Sequence, residues 1–108
     1  MRDVFVEREI ECATGDGLKK GYIQIFKPVQ DQDDWRCDYS LKWADYEKSF
    51  YAMGVDSFQS LQLALYIVPT VVSISQDFKD GRLQFLGEPL TNENLRDAFE
   101  IKWPGELS

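Results

Sequence analysis

The chain has 108 residues, with 12 Lys and Arg against 19 Asp and Glu, a formal charge of −7 and 44% hydrophobic residues. That is the size and balance of one soluble domain, residues 1–108, able to build a single core. The sequence has no histidine, which excludes His-based triads, His general bases and His metal ligands, and its acidic balance argues against nonspecific nucleic-acid binding and against an anionic membrane surface, both of which rely on Lys and Arg.

Asp3 to Ala13 alternates. Val4, Val6, Ile10 and Cys12 share one face, and Glu7, Glu9 and Glu11 share the other. A period of two with one acidic face predicts a half-buried strand. Arg8 falls on the apolar face. Thr14-Gly15-Asp16-Gly17 is a turn signal, and Lys19 to Val29 reads as the returning strand of a hairpin whose loop is slightly longer than two residues. Pro28 ends that strand because it has no N–H for the ladder. Gln30 to Asp34 is an acidic loop.

The third strand has the cleanest pattern. Trp35, Cys37, Tyr39, Leu41 and Trp43 alternate with Arg36, Asp38, Ser40 and Lys42. A slip of one residue would put two indoles and a phenol into water, so the register is firm. Ala44 to Glu47 is a turn, and Lys48 to Met53 a short fourth strand. Gly54-Val55-Asp56-Ser57 then opens the one long helix, with Asp56 or Ser57 as cap and Gln59 three residues after Asp56. Phe58, Leu61, Leu65, Val68 and Val72 give it a core stripe. Pro69 predicts a kink or a break, and the β-branched run Val71 to Ile74 leaves a strand there open.

Gly81 suits the residue after a helix end, and Arg82 to Leu86 reads as a last short strand. Thr91 to Asn94 followed by Leu95, Ala98 and Phe99 predicts a short capped helix. Pro104-Gly105 ends ordered structure. The expected fold is α+β: an antiparallel sheet of about five strands, one long helix packed on one face and a short C-terminal helix.

Lys27-Pro28-Val29, then Asp33-Asp34-Trp35-Arg36-Cys37, then Gly54-Val55-Asp56-Ser57-Phe58-Gln59-Ser60-Leu61 form a recognisable set. The chain resembles a family of small uncharacterised bacterial domains with an Asp-Trp-Arg-Cys strand and a Gly-x-Asp-Ser-x-Gln-x-Leu helix start. The resemblance covers residues 5–87. It implies the fold and a bacterial origin, and it carries over no catalytic residue.

No signal-peptide pattern shows in Met1 to Ile10, and no run reaches the roughly 18–20 uninterrupted apolar residues of a membrane span, so the expected location is the cytoplasm. Cys12 and Cys37 fall on apolar faces and read as free buried thiols; a disulfide would need their two strands to be neighbours. Without histidine neither has an evident base to make it a nucleophile. Asp31, Asp33 and Asp34, with Asp38 nearby, lack the glycine and distal Glu of a calcium loop and read as a solvated turn. The stripe Trp35, Tyr39 and Trp43 reads as core, because a base-stacking platform needs basic surroundings.

Arg8 requires either a carboxylate partner, an exit to the sheet edge, or an anion or ligand pocket between sheet and helix. The helix is apolar over more than one stripe, and either the segment holding Leu95, Phe99, Ile101 and Trp103 or a second copy would cover the rest. The expected function is a non-catalytic acidic protein-binding module, immunity- or inhibitor-like by analogy of size and charge. Its outward acids Glu7, Glu9, Glu11, Asp31, Asp33 and Asp34 would steer a basic protein partner. The alternatives are a structural homodimer and a small-ligand carrier. No catalytic residue, cofactor or metal is expected.

Overall fold

The structure, a computed structural model, describes residues 3–99. Seven strands and three helices follow in the order β1 (Val4–Thr14), β2 (Gly17–Phe26), β3 (Val29–Asp31), β4 (Asp34–Trp43), β5 (Tyr46–Gly54), α1 (Ser57–Ile74), α2 (Gln76–Lys79), β6 (Leu83–Phe85), β7 (Glu88–Pro89) and α3 (Leu95–Phe99). The expected α+β architecture is present: one antiparallel sheet, one long helix and a short helix near the C-terminus. Four strands are long, and β3, β6 and β7 are short additions.

Two hairpins are tighter than their sequences suggest. β1 and β2 join through Gly15-Asp16 alone, with Thr14 opposite Gly17, and Gly17 takes a φ of 106° that only glycine adopts without strain. The Thr14 hydroxyl closes the turn, donating to the Gly17 carbonyl at 2.8 Å and accepting from the Asp16 N–H at 3.2 Å. β4 and β5 join through Ala44-Asp45, so β5 starts two residues before the expected Lys48. The stacked rings of Trp43 and Tyr46, 4.5 Å apart, clamp that end.

The acidic loop is corrected as well. Val29–Asp31 pairs with Asp34–Arg36, leaving only Gln32-Asp33 as the turn. β2 and β3 lie on the same edge of β4, with the pairing offset by one residue between Ile25↔Tyr39 and Val29↔Arg36. They are one strand interrupted at Lys27-Pro28, where the missing Pro28 N–H breaks the ladder. In space β5 therefore flanks one edge of β4, and β2 with β3, then β1, β6 and β7, extend from the other.

On β4, Cys37, Tyr39, Leu41 and Trp43 are buried, Trp35 is half-buried and Lys42 is exposed. The predicted alternation holds on the inner face, but on the outer face Asp38 is buried as well, with Arg36 paired to it at 3.2 Å. Val4 and Val6 are instead 48% and 43% exposed, and burial on β1 starts only at Ile10. The helix lies across β4 and β5 and leaves the first half of β1 uncovered.

Asp56 caps α1 by accepting from the Gln59 N–H at 2.8 Å, and Gln59 returns the bond to the Val55 N–H. The helix runs unbroken through Pro69 and ends at Ile74, so neither a break nor a strand forms at Val71 to Ile74. Burial of Val68, Val71 and Val72 on both sides of the proline offsets its cost of about 3 kcal/mol. The turn away from the helix axis comes at Ser75, whose hydroxyl caps α2. Gly81 follows α2 at φ 73°, as expected for a helix terminator.

The buried face of α1 is Ser60, Ala64, Val68, Val71 and Val72, about one residue round from the expected stripe; Phe58 is 70% exposed. Small residues face the sheet because the backbones approach closely. All 18 residues of α1 are uncharged, and by length and composition it could cross a membrane. It packs on the sheet by one side, with Tyr66 and Ile74 exposed on the other. The expected cover by Ile101 and Trp103, and the Pro104-Gly105 terminus, lie outside the described residues.

Candidate functional site

Alternation on β1 places Arg8 opposite Ile23, on the helix side of the sheet, and Glu7 opposite Gln24, on the other side. Beside Arg8 lies a half-open cavity of about 160 Å³ lined by Val6 and Glu7 of β1, Ile23 and Ile25 of β2, Leu65 and Val68 of α1, and Ala98 and Phe99 of α3. The Arg8 guanidinium sits 4.4 Å from the centre of the Phe85 ring and 5.6 Å from that of Phe99. Both are cation–π distances. Among the described residues no carboxylate comes within ion-pair distance of Arg8, whose guanidinium is flanked by two aromatic faces instead.

The opposite face of the sheet carries no described helix. Glu7, Glu9 and Glu11 lie along it in one row beside Gln24, Tyr22 and Lys20. Gln24 donates to Glu7 at 2.6 Å, and Lys20 pairs with Glu9 at 3.4 Å. Asp31, Asp33 and Asp34 occupy the β3–β4 hairpin instead. Glu7 is level with Gln24 and Ser40, six residues along β4 from Asp34, or about 20 Å. The six acids thus form two separate groups. Arg36 neutralises part of the second, lying 3.6 Å from Asp31 and 3.2 Å from Asp38. No cluster of three or more Cys, Asp or Glu side chains suited to a metal ion occurs among the described residues.

Both cysteines are free and buried. β2 separates β1 from β4, and Cys12 is level with Lys19, whose row meets the chain eight residues beyond Cys37. The two thiols are therefore about 26 Å apart along the strand direction alone and cannot bond. Burial and then the Asp77 charge raise the Cys12 pKa. Burial and then the Asp38 charge push Cys37 up to about 11. Both shifts favour the thiol, the opposite of what a nucleophile needs.

The Cys37 shift has a consequence for stability. Its folded pKa stands above the ordinary value of 9.0, so the unfolded chain loses its proton first. The contribution is complete below pH 9 and is lost as pH rises toward 11. The melting temperature is expected to fall over that window, and Cys37→Ala to show a shallower fall. Parallel curves for the two proteins would contradict this.

Sequence reasoning missed Asp77. Its Oδ2 accepts from the Trp43 indole N–H at 2.9 Å, and its Oδ1 accepts from Arg82 Nε at 2.8 Å. A buried indole needs an acceptor, and that rule alone pointed to an acid on a neighbouring element. Arg82 also reaches Asp80 at 2.7 Å, so the network ties α2 to β4 and closes on itself.

β5 is the remaining exposed feature. It pairs with β4 only, over nine residues and without a register shift. Its other edge has no partner among the described residues. It contains no proline, and Phe50, Tyr51 and Met53 on it are all exposed. Beyond its end, Val55 and Phe58 continue the exposed apolar surface onto α1.

A family model described as a domain of unknown function (DUF6968) matches residues 6–95. The chain belongs to this family. No curated protein and no solved structure matches it. The family match spans β1 through the start of α3, so the cavity floor, the open sheet face and the β5 edge all lie inside the DUF6968 domain.

Proposed function

We propose that this domain is a non-catalytic protein-binding module that takes an extended segment of a basic partner as an added strand on the outer edge of β5. The observation that carries this reading is the edge itself. A long edge strand presents unpaired N–H and C=O groups, and folded proteins protect such edges with proline, bulges or repeated lysines. β5 has a single lysine, Lys48, and neither of the other devices. Its exposed Phe50, Tyr51 and Met53 offer apolar contacts to the alternate side chains of an added strand, whose backbone would pair with the open edge.

The charge of −7 favours a basic partner and sets two copies of the chain against each other. The acids Glu7, Glu9, Glu11, Asp31, Asp33 and Asp34 serve in this reading as the steering field rather than as the contact. An immunity- or inhibitor-type role, in which the partner's own function is blocked by occupation, is the specific form of the proposal. The free buried thiols suit a reducing cytoplasm.

The reading is tested with an alternating lysine–valine octapeptide as probe. Titrated into the labelled protein, it is expected to shift the amide signals of residues 46–54. Affinity is expected to weaken as salt rises. Phe50→Lys, at an exposed position, is expected to cut affinity at least about tenfold while leaving the fold intact. Shifts confined to other strands would overturn the reading. So would a dilution series showing a stable dimer with β5 already covered, which is the outcome the homodimer alternative requires.

A further inference from the structure

We infer that the cavity beneath α1 is a binding site for a small monocarboxylate with an apolar body of about six carbons, held at its charged end by Arg8. The argument starts from what Arg8 lacks. A half-buried guanidinium has five N–H donors in a rigid fork, and its natural complement is a carboxylate. Asp and Glu side chains are plentiful in this chain, yet none described comes within 4.0 Å of it. The nearest in sequence, Glu7, points to the other face of the sheet, where Gln24 donates to it. Phe85 and Phe99 flank the guanidinium at cation–π distance, and an aromatic face is no substitute for the oxygen acceptors its N–H groups take.

The cavity supplies the rest of the description. Ile23, Ile25, Leu65 and Val68 make its walls apolar, and Arg8 is the cation at its margin. Glu7 also lines the cavity, but its carboxylate accepts from Gln24 at 2.6 Å, which leaves Arg8 as the charged group open to a ligand. An apolar cleft with a few convergent polar groups is the usual form of a small-molecule site. Its volume of about 160 Å³ sets the size. An engineered cavity of about 150 Å³ holds one benzene molecule, so the apolar body here has about six carbons. Benzoate and hexanoate meet both requirements. A dicarboxylate meets them less well, because a second charge directed against Leu65, Val68 and Ile25 finds no partner there. The site is independent of the β5 edge: it stands over β1 and β2, with β4 in between.

The test is a titration of the labelled protein with benzoate at neutral pH, and with benzyl alcohol as the uncharged analogue. Benzoate is expected to give saturable shifts at residues 6–8, 23–25 and 98–99, and benzyl alcohol to bind at least about tenfold more weakly, as the loss of a charge-assisted bidentate pair requires. Arg8→Gln is expected to lower benzoate affinity by at least about tenfold and leave benzyl alcohol unchanged. Ala98→Phe, at the half-buried rim, fills the cavity without touching the cation and is expected to abolish binding of both probes; it serves as the readout if Arg8→Gln does not fold. The inference is overturned if millimolar benzoate produces no saturable shift, or if benzoate and benzyl alcohol bind equally. The octapeptide titration is unaffected by either result, so the two readings fail separately.

Discussion

Trp43→Ala is expected to lower the unfolding free energy by about 3–5 kcal/mol, the range for truncating a fully buried large aromatic. Trp43 is 0% exposed. It lies opposite Gly21 on one side and Tyr46 on the other, and its indole N–H is held by Asp77. Alanine would leave a void in the core and release the anchor between β4 and α2. A single domain of this size has only about 5–15 kcal/mol to lose, so the variant stands near its unfolding threshold. Trp43→Phe separates the two contributions. It keeps most of the ring and removes the donor, leaving one Asp77 oxygen short of a partner at about 1–3 kcal/mol. Urea denaturation measures both. A loss below about 1 kcal/mol for the alanine variant would mean that the indole is not packed as described.

Gly54→Ala is the second large effect. A Cβ at Gly54 would stand 2.5 Å from the Ser60 backbone nitrogen and 2.9 Å from the Gln59 carbonyl carbon. These are backbone atoms of the first turn of α1, so no side chain can swing aside. The turn itself is pinned, with Asp56 accepting from both the Gln59 and Ser60 N–H groups. The helix must therefore lift from β5, and the cost is expected to be about 1–3 kcal/mol. Gly15→Ala is the matched control. Its Cβ would meet nothing within 4 Å, and the change is expected to be neutral within about 0.5 kcal/mol. Equal melting temperatures for the Gly54 and Gly15 variants would remove the close approach of β5 and α1 from the account.

That close approach also explains which parts of the fold the sequence did not reveal. The alternation from Trp35 to Trp43 was legible because a strand one face of which is buried must repeat every two residues, whatever lies above it. The cap at Asp56 was legible because capping is local. The buried face of α1 was not. Hydropathy favours Phe58, Leu61 and Leu65, but a helix lying this near a sheet must place Ser60 and Ala64 against it, and only the crossing distance decides that. Pro69 misled for a similar reason: its local penalty is real, and the tertiary packing of its neighbours outweighs it.

The candidate sites divide the same way. Periodicity alone placed Arg8 on the inner face and the acids of β1 on the outer one. It could not supply Phe85 and Phe99, which reach Arg8 from distant parts of the chain, nor the strand order that leaves β5 at the edge. The acids of β1 and of the β3–β4 hairpin looked like one field in the sequence. They are two, because hairpin geometry sends them to different ends of the sheet.

The most direct test of the account is amide hydrogen exchange along β5 in the free protein. An edge strand paired on one side only has every second N–H bonded to β4 and the others open to water. Residues 46–54 are expected to alternate between slow and fast exchange, beside uniformly slow amides at 39–43, where β4 is paired on both sides. Uniform protection along β5 would show that its outer edge is already occupied, and the proposed binding edge would not exist.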